Sequence, residues 1–169
     1  MKKILITGGG GYIGSMLCTE LINLGHKVTV IDLLKYDKGS LDHLYFNKNF
    51  LFINADTRKT KLLKNLLNQN EFIIPLAALV GAPLCKKNKK EAITTNFSAI
   101  KKILVNLKSK NKLIYLTTNS GYGIGEKNKF CNEESPLKPI SLYGQTKCDA
   151  ENEVMKFKNT VSFRLATVF

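Results

Sequence analysis

The sequence predicts an α/β fold: a doubly wound parallel sheet covered by helices on both faces. Three observations support this prediction. Short, nearly continuous apolar runs alternate with amphipathic stretches, a glycine-rich loop joins the first run to the first amphipathic stretch, and 169 residues suit one domain. Strands that are apolar throughout are typical of parallel sheets buried on both faces, and parallel neighbours need crossover connections. We therefore expect right-handed crossovers and a doubly wound layout.

Four apolar runs define the strands of the first half of the chain. The strands are expected at Lys3–Thr7, Lys27–Ile31, Phe50–Asn54 and Phe72–Leu79. The first helix is expected to end at Leu24, because Gly25 stands where a helix C-terminus favours glycine. A second, amphipathic helix is expected over Thr57–Asn68.

The second half of the chain continues the same alternation. We expect a helix over about Lys89–Lys108, a strand over Leu113–Thr117, a loop over Gly121–Pro139, a helix over Ser141–Lys158 and a sixth strand over Val161–Val168. A complete domain rarely ends on a strand. We therefore expect residues 1–169 to be one domain from a longer protein, truncated after the sixth strand.

The charge balance raises the question of a nucleic-acid partner. The chain carries 26 lysines and arginines against 13 acidic residues, a formal net charge of +13. Only Arg58 and Arg164 are arginines, whereas nucleic-acid and phosphate sites favour the bidentate arginine fork. The lysine pairs at 86–87, 89–90 and 101–102 are not interleaved with aromatic residues, which a stacking surface needs. The pattern favours solvated lysines, with a polyanionic partner as the alternative.

The cysteine pattern and the hydropathy of the chain argue against several other classes of protein. Cys18, Cys85, Cys131 and Cys148 form no CxxC pair and have no histidine close by, so we predict reduced thiols and no metal site. No apolar run approaches the ~20 residues that a membrane span needs. The short apolar start is interrupted by glycines rather than followed by a cleavage site. We expect a cytoplasmic protein.

The glycine-rich loop between the first strand and the first helix indicates a phosphate-binding function. It fits two dinucleotide-binding spacings, Gly9-x-Gly11-x-x-Gly14 and Gly8-x-x-Gly11-x-x-Gly14. Such a loop needs glycine at a tight turn, where the backbone approaches the pyrophosphate, and where helix and strand pack closely. The helix N-terminus then holds the phosphates. A P-loop is excluded, because Ser15 rather than lysine follows the last glycine.

Asp32 stands at the end of the second predicted strand and indicates which dinucleotide is bound. It lies 18 residues after Gly14, about the offset of the acid that hydrogen-bonds the adenosine ribose. A 2′-phosphate would lie against this carboxylate, so the sequence favours NAD over NADP. Lys35 is the nearby basic residue that argues for NADP.

Tyr143 and Lys147 stand four residues apart in a predicted helix and therefore share one helix face. A tyrosine titrates near ~10, which is too high for a base at neutral pH. A neighbouring cation favours the phenolate, so we expect Lys147 to lower the pKa of Tyr143. A surface pair is the alternative, but the dinucleotide loop upstream favours a catalytic pair.

These motifs together resemble the extended short-chain dehydrogenase/reductase superfamily, in its NAD-dependent epimerase/dehydratase branch of nucleotide-sugar enzymes. The resemblance covers the whole chain, with TGGGGYIGS, VIDLL, NADTR, IIPLAA, LTTNSGYG, SLYGQTK and FRLATVF in the family's order. It implies an NAD(P)-binding Rossmann fold over residues 1–169, the N-terminal portion of a longer enzyme whose C-terminal substrate-binding part is missing. It also implies a nucleotide-sugar substrate and a homodimer formed through the helices near 89–108 and 141–158.

The resemblance also implies roles for individual residues. Thr118 matches the Ser/Thr that hydrogen-bonds the substrate oxygen, and Tyr143 matches the residue that removes a proton from a sugar hydroxyl while hydride passes to the nicotinamide. Lys147 would hold the nicotinamide ribose. The implied cofactor-binding positions are Gly8, Gly11, Tyr12, Ile13, Gly14, Asp32, Asp56, Thr57, Leu76, Ala77, Ala78, Asn96, Tyr143 and Lys147, with no metal.

Some positions depart from the family's pattern. Pro75 replaces a common histidine, and Thr167 stands where asparagine is frequent. Asn119 and Ser120 stand where 4,6-dehydratases carry an acidic pair. Without that pair, epimerisation or simple oxidoreduction is favoured over dehydration. A dehydratase, decarboxylase or reductase of the same superfamily, and a non-catalytic dinucleotide- or RNA-binding relative, are the alternatives.

Overall fold

The computed structural model describes residues 1–125 and 130–168, and these form a six-stranded, all-parallel sheet flanked by helices. The strands are β1 (Lys3–Thr7), β2 (Lys27–Asp32), β3 (Phe50–Asn54), β4 (Phe72–Pro75), β5 (Lys112–Thr118) and β6 (Thr160–Leu165). They lie in the order β3-β2-β1-β4-β5-β6. The predicted doubly wound α/β fold is therefore confirmed.

Helices and short turns connect the strands. In the described part of the chain the α-helices are α1 (Tyr12–Asn23), α2 (Thr60–Gln69), α3 (Ala82–Lys87), α4 (Lys89–Ala92), α5 (Ala99–Asn106) and α6 (Leu142–Val154). Residues Ile93–Ser98 form a π-helical segment that joins α4 to α5. Segments Asp42–Leu44 and Asn119–Tyr122 are 3₁₀ turns. A π segment inside a longer helix is common near functional sites.

Two strands end earlier than predicted because their hydrogen-bonding partners end. β4 stops at Pro75, which pairs with Thr7, the last residue of β1. β6 stops at Leu165, opposite Thr118, the last residue of β5. The apolar residues that follow β4 do not extend the sheet, and they turn instead toward the cleft described below.

The helices differ from the prediction in one addition and in their ends. α3 occupies a stretch where the sequence predicts no helix, and Pro83 lies in its first turn, where proline is tolerated. α2 begins at Thr60, and α6 ends at Val154, both shorter than predicted. The predicted loop over 121–139 includes residues 126–129, which lie outside the described residues.

The core lies on both faces of the sheet, because the side chains of each strand alternate between them. On one face Ile4 and Ile6 of β1 pack with residues of α1 and β2: Cys18, Ile22, Val28 and Val30. On the other face Leu5 packs with residues of α2, α5 and α6: Leu63, Leu67, Ile103 and Val154. Two buried faces explain why the strand sequences are apolar throughout.

No helix within residues 1–125 and 130–168 is both long and apolar enough to cross a membrane. The four cysteines are free thiols, of which Cys131 is exposed while Cys18, Cys85 and Cys148 are buried.

Candidate functional site

A cleft of about 850 Å³ runs along the carboxyl ends of the strands. It lies where the connections from β1 and β4 leave toward opposite faces of the sheet, which is where doubly wound sheets bind their ligands. The cleft brings together all but one of the site residues predicted from the sequence. Asn96 is the exception, since it does not line the cleft.

Gly8 and Gly14 let three segments of backbone meet at the floor of the cleft. Gly8 adopts a φ of +76°, and a Cβ atom there would lie 2.3 Å from the backbone nitrogen of Ala77. A Cβ atom on Gly14 would lie 2.6 Å from the carbonyl oxygen of Gly8. The β1 loop, the start of α1 and the segment after β4 can therefore approach this closely only without side chains at these two positions.

The N-terminus of α1 faces the same cleft. Gly11 is the residue before its first turn, and within the described residues no side chain caps that turn and no acidic residue lies in it. Tyr12, Ile13 and Gly14 line the cleft, and as the first residues of the helix their backbone N–H groups lack intrahelical acceptors. Free N–H groups and the positive end of the helix dipole fit a pyrophosphate.

Asp32, at the end of β2, is held in place by two backbone N–H groups. Its Oδ2 accepts from the Gly10 N–H at 2.9 Å, and its Oδ1 accepts from the Leu34 N–H at 2.7 Å. Leu34 has a φ of +48°, an uncommon conformation for a side-chain-bearing residue. A carboxylate has about four acceptor positions, so the two that remain can take ribose hydroxyl groups.

Beyond Asp32, two ion pairs lie at the same end of the cleft. Asp56 accepts from the Arg58 Nη2 at 2.6 Å and from its Nε at 2.9 Å, and these hydrogen bonds lower the pKa of Asp56 to about 2. Arg58 Nη1 also donates to the Thr94 hydroxyl at 3.1 Å. Lys35, in the loop after β2, pairs with Glu91 of α4. We call this part of the cleft, around Asp32 and the two pairs, the adenosine end after the role expected of Asp32 from the sequence.

The segment after β4 forms one wall of the cleft through Leu76, Ala77 and Ala78. Asn96, in the π-helical segment, fixes this wall from behind. Its amide oxygen accepts from the Leu79 N–H at 2.7 Å, and its amide nitrogen donates to the Leu79 carbonyl at 2.9 Å. The structure thus places Asn96 as a buried support of the wall.

At the opposite end the cleft is lined by Thr118, Tyr143 and Lys147, and we call this the catalytic end after the roles expected from the sequence. Thr118 is the last residue of β5, and its hydroxyl donates to Ser120 Oγ at 3.1 Å. Tyr143 and Lys147 both belong to α6. The Ser141 hydroxyl caps this helix by accepting from the Gly144 N–H at 3.1 Å.

Lys147 is buried, and its ammonium group contacts a carbonyl and an aromatic ring rather than a carboxylate. Its Nζ donates to the Leu116 carbonyl at 2.6 Å and lies 4.4 Å from the centre of the Tyr115 ring. Burial lowers the pKa of Lys147 to about 8, against the opposing effect of Glu151. The cation therefore has no acidic hydrogen-bonding partner within the described residues.

The expected effect of Lys147 on Tyr143 is absent from this structure. Burial raises the pKa of Tyr143, and the hydrogen bond with Thr118 is the effect that opposes this rise. Tyr143 packs against the cluster of Leu79, Cys85 and Ala92, and the Lys147 amine donates to the Leu116 carbonyl. The prediction that Lys147 lowers this pKa is wrong for the structure described here.

A largely buried ion pair between Arg164 and Glu151 lies next to the catalytic end. Arg164 of β6 donates through Nε to Glu151 of α6 at 3.0 Å, and through Nη1 to the Tyr122 hydroxyl at 3.2 Å and the Glu133 carbonyl at 2.9 Å. The Arg164 guanidinium also lies 5.4 Å from the Tyr122 ring centre. These contacts tie the turn after Thr118 to the sheet.

Sequence reasoning did not identify Arg58, Glu91 or Arg164 as parts of the site. Arg58 follows Asp56 by two residues, so their pairing is a local feature that the sequence shows. Glu91 and Arg164 reach the site from distant elements, and no spacing in the sequence indicates either contact.

Comparisons with known proteins identify the family of this chain. The model of the NAD dependent epimerase/dehydratase family matches residues 4–169. The chain is 37% identical over 125 residues to the UDP-N-acetyl-alpha-D-glucosaminuronate decarboxylase of Bacillus cytotoxicus, covering 73% of this chain and 39% of that protein. It is 32% identical over 167 residues to a putative UDP-arabinose 4-epimerase of Arabidopsis thaliana, covering 93% of this chain and 38% of that protein.

Solved structures show the same fold. The UDP-glucuronic acid 4-epimerase of Bacillus cereus, solved in complex with UDP-glucuronic acid and NAD, matches with a TM-score of 0.84 and 30% identity, over 96% of this chain and 55% of that one. The UDP-Glc/GlcNAc 4-epimerase of Campylobacter jejuni matches with a TM-score of 0.86 and 26% identity, over 97% and 53%. The chain spans between 38% and 52% of the length of the curated relatives that it matches.

Proposed function

Because this chain belongs to the NAD dependent epimerase/dehydratase family, we propose that residues 1–169 are the NAD-binding Rossmann domain of a nucleotide-sugar epimerase or related oxidoreductase. The observation that carries the proposal is the cleft itself. The backbone around Gly8 and Gly14, which we call the glycine cradle, lies at one end with the free N-terminus of α1 and Asp32. Thr118, Tyr143 and Lys147 lie at the other end. The remaining substrate contacts would come from sequence beyond this domain.

The cofactor's parts fit the cleft in a fixed order. The glycine cradle and the N-terminus of α1 would hold the pyrophosphate, and Asp32 would hold the adenosine ribose. Asp56 and Thr57 would contact the adenine, and Leu76, Ala77 and Ala78 would line the path toward the catalytic end. We favour NAD over NADP because the Asp32 carboxylate would face a 2′-phosphate.

The catalytic end supplies the groups for a proton-coupled hydride transfer. NAD, when bound, supplies the hydride acceptor. Tyr143 would remove the proton from a sugar hydroxyl while the hydride leaves the carbon that bears this hydroxyl. Thr118 would orient the hydroxyl oxygen, and Lys147 would hold the nicotinamide ribose. An epimerase would then return both to the sugar with the opposite configuration.

Two positions favour epimerisation or simple oxidoreduction over dehydration. Asn119 and Ser120 are exposed beside Thr118, and neither is an acid that would drive elimination of water. Ser120 instead accepts from the Thr118 hydroxyl and donates its N–H to it at 3.1 Å. Decarboxylase and reductase activities use the same three catalytic positions and remain the alternatives, while the homodimer and the cytoplasmic location stay predictions.

Calorimetric titration of this chain with NAD⁺ and NADP⁺ tests the cofactor proposal. We expect saturable NAD⁺ binding, weaker NADP⁺ binding, and a loss of about 10-fold or more in NAD⁺ affinity for Asp32→Asn, because hydrogen bonds to charged groups contribute about 1.5–3 kcal/mol. Asp37→Asn is the matched control, since Asp37 lines the same cleft but accepts from the Gly39 N–H. A folded chain that binds no NAD⁺ would contradict the proposal.

A further inference from the structure

The adenosine end of the cleft differs in charge from the rest of the chain. Although the whole chain carries +13, four acids and two bases line this end among the described residues. They are Asp32, Lys35, Asp37, Asp56, Arg58 and Glu91. An anion that enters here therefore meets local negative charge inside a cationic protein.

Neither of the two cations is free to meet a phosphate. Arg58 places its Nε and Nη2 on Asp56 and its Nη1 on Thr94, so its fork is occupied on both sides. Lys35 lies three residues beyond Asp32 and is paired with Glu91. Of the two, Lys35 has the flexible stem and a single carboxylate oxygen as its partner, so it is the cation that one substitution can release.

We propose that Glu91 is a specificity-determining residue, which disfavours NADP by pairing with Lys35 and so keeping this lysine from binding the 2′-phosphate. This inference rests on the proposed NAD-binding function. Asp32 alone repels the phosphate, but an unpaired lysine three residues away would offset that repulsion. By pairing with Lys35, Glu91 prevents this lysine from attracting the phosphate.

The fold keeps Glu91 in position from the opposite wall of the cleft. Its neighbour Ala92 is fully buried, and the Glu91 carbonyl accepts from the Thr94 hydroxyl at 3.2 Å. The π-helical segment that follows is anchored through Asn96 to the Leu79 backbone. Glu91 therefore belongs to a helix that is packed and, through the segment that follows it, hydrogen-bonded to the wall of the cleft, whereas Lys35 belongs to a loop.

The test is a double-mutant cycle read by calorimetry with NAD⁺ and NADP⁺ on the whole chain. We expect Glu91→Gln to raise NADP⁺ affinity about 5- to 10-fold while NAD⁺ affinity stays within about twofold. The released Lys35 can then pair with the 2′-phosphate, and such a pair at a partly exposed site contributes on the order of 1 kcal/mol to binding. Adding Lys35→Gln should abolish the gain, and Lys35→Gln alone should leave NADP⁺ affinity nearly unchanged.

Glu71→Gln is the control for net charge. Glu71 pairs with Lys2 at 3.2 Å, with similar side-chain exposure to Glu91, and does not line the cleft. Equal gains in Glu71→Gln and Glu91→Gln would overturn the inference, as would no gain in Glu91→Gln or a gain that survives Lys35→Gln. Absence of NAD⁺ binding by the unmodified chain would instead contradict the proposed function, so the two failures are distinguishable.

Discussion

The two ends of the cleft differ in the partners of their cationic side chains. At the adenosine end, Lys35 and Arg58 are each matched with a carboxylate on the protein, and both pairs are partly exposed. At the catalytic end, Lys147 is buried and bonded to a carbonyl, although the Glu151 carboxylate lies nearby on the same helix. The charge of a cation in an ion pair is balanced by its partner. A cation bonded to a carbonyl has no opposite charge beside it and can still pair with an anionic or polar group of a ligand.

Arg164 occupies the carboxylate that would otherwise be the nearest acidic partner for Lys147 on α6. Arg164 Nε contacts both oxygens of Glu151, at 3.0 and 3.2 Å, and the Ser162 hydroxyl donates to the same carboxylate at 3.0 Å. Glu151 is thus engaged by β6 and is not the hydrogen-bonding partner of Lys147. The buried pair of the catalytic end and the exposed pairs elsewhere should therefore differ in their contribution to stability.

The largest expected effect is that of breaking this buried pair. Arg164→Gln leaves the Glu151 carboxylate buried without a cation, so we expect the free energy of unfolding to fall by about 3–5 kcal/mol in a urea titration. The matched control is Lys2→Gln, whose exposed pair with Glu71 should contribute about 1 kcal/mol or less. Equal losses in the two variants would contradict the contrast between buried and exposed pairs.

The next effect concerns the glycine cradle. Gly8→Ala and Gly25→Ala both place a side chain at a φ near +77°, but a Cβ atom on Gly25 has no neighbour within 4 Å. We expect Gly25→Ala to cost about 1–2 kcal/mol of stability through backbone strain alone. Gly8→Ala should cost about 1–3 kcal/mol more, because the new Cβ meets Ala77.

NAD⁺ calorimetry on the same two variants separates strain from site geometry. Gly8→Ala should weaken NAD⁺ binding by more than about 100-fold, since the cradle backbone must move away from the pyrophosphate. Gly25→Ala should bind like the unmodified chain. If Gly8→Ala also retained NAD⁺ affinity, the close approach to Ala77 would have no role in binding.

A smaller effect should appear in the pH dependence of stability. Burial lowers the pKa of Lys147 to about 8 in the folded chain, below the ~10.4 of an unfolded lysine, so the unfolded state binds more protons between these values. Stability from this group therefore rises with pH from about 8 to about 10, at up to about 1.4 kcal/mol per pH unit.

The difference between the unmodified chain and Lys147→Met isolates this contribution, because the other groups titrate in both proteins. We expect that difference, measured by urea unfolding at several pH values, to favour the unmodified chain progressively as the pH rises from 8 to 10. A difference that does not change over this range would contradict a buried Lys147 with a lowered pKa.

The sequence predicts the sheet and the composition of the cleft well, because both depend on local patterns. Apolar runs mark the strands, and the offset from Gly14 marks Asp32. The same reasoning extends the fourth strand too far, since it cannot show that the partner residues of β1 end at Thr7. It also cannot show that Glu91 reaches Lys35, because that contact depends on tertiary packing.

The pKa of Tyr143 is a second property that depends on tertiary packing, which the sequence does not show. The four-residue spacing correctly places Tyr143 and Lys147 on the same cleft. What each side chain packs against is decided by other elements: Lys147 contacts β5 through Leu116, and the phenol contacts the cluster that contains Cys85. Burial then raises the pKa of Tyr143, and the hydrogen bond with Thr118 rather than Lys147 opposes this rise.

The smallest predicted effect tests the one group that opposes this rise. Thr118→Val keeps the shape of the side chain but removes the hydroxyl whose hydrogen bond lowers the pKa of Tyr143. The pKa of Tyr143 should therefore move further upward, as read from tyrosinate absorbance after subtraction of the titration of Tyr143→Phe. Ser120→Ala is the matched control, because its hydroxyl contacts Thr118 rather than the phenol. An equal upward shift in Ser120→Ala, or none in Thr118→Val, would mean that burial alone sets the pKa of Tyr143, and the catalytic end would then depend on the bound ligand to favour the phenolate.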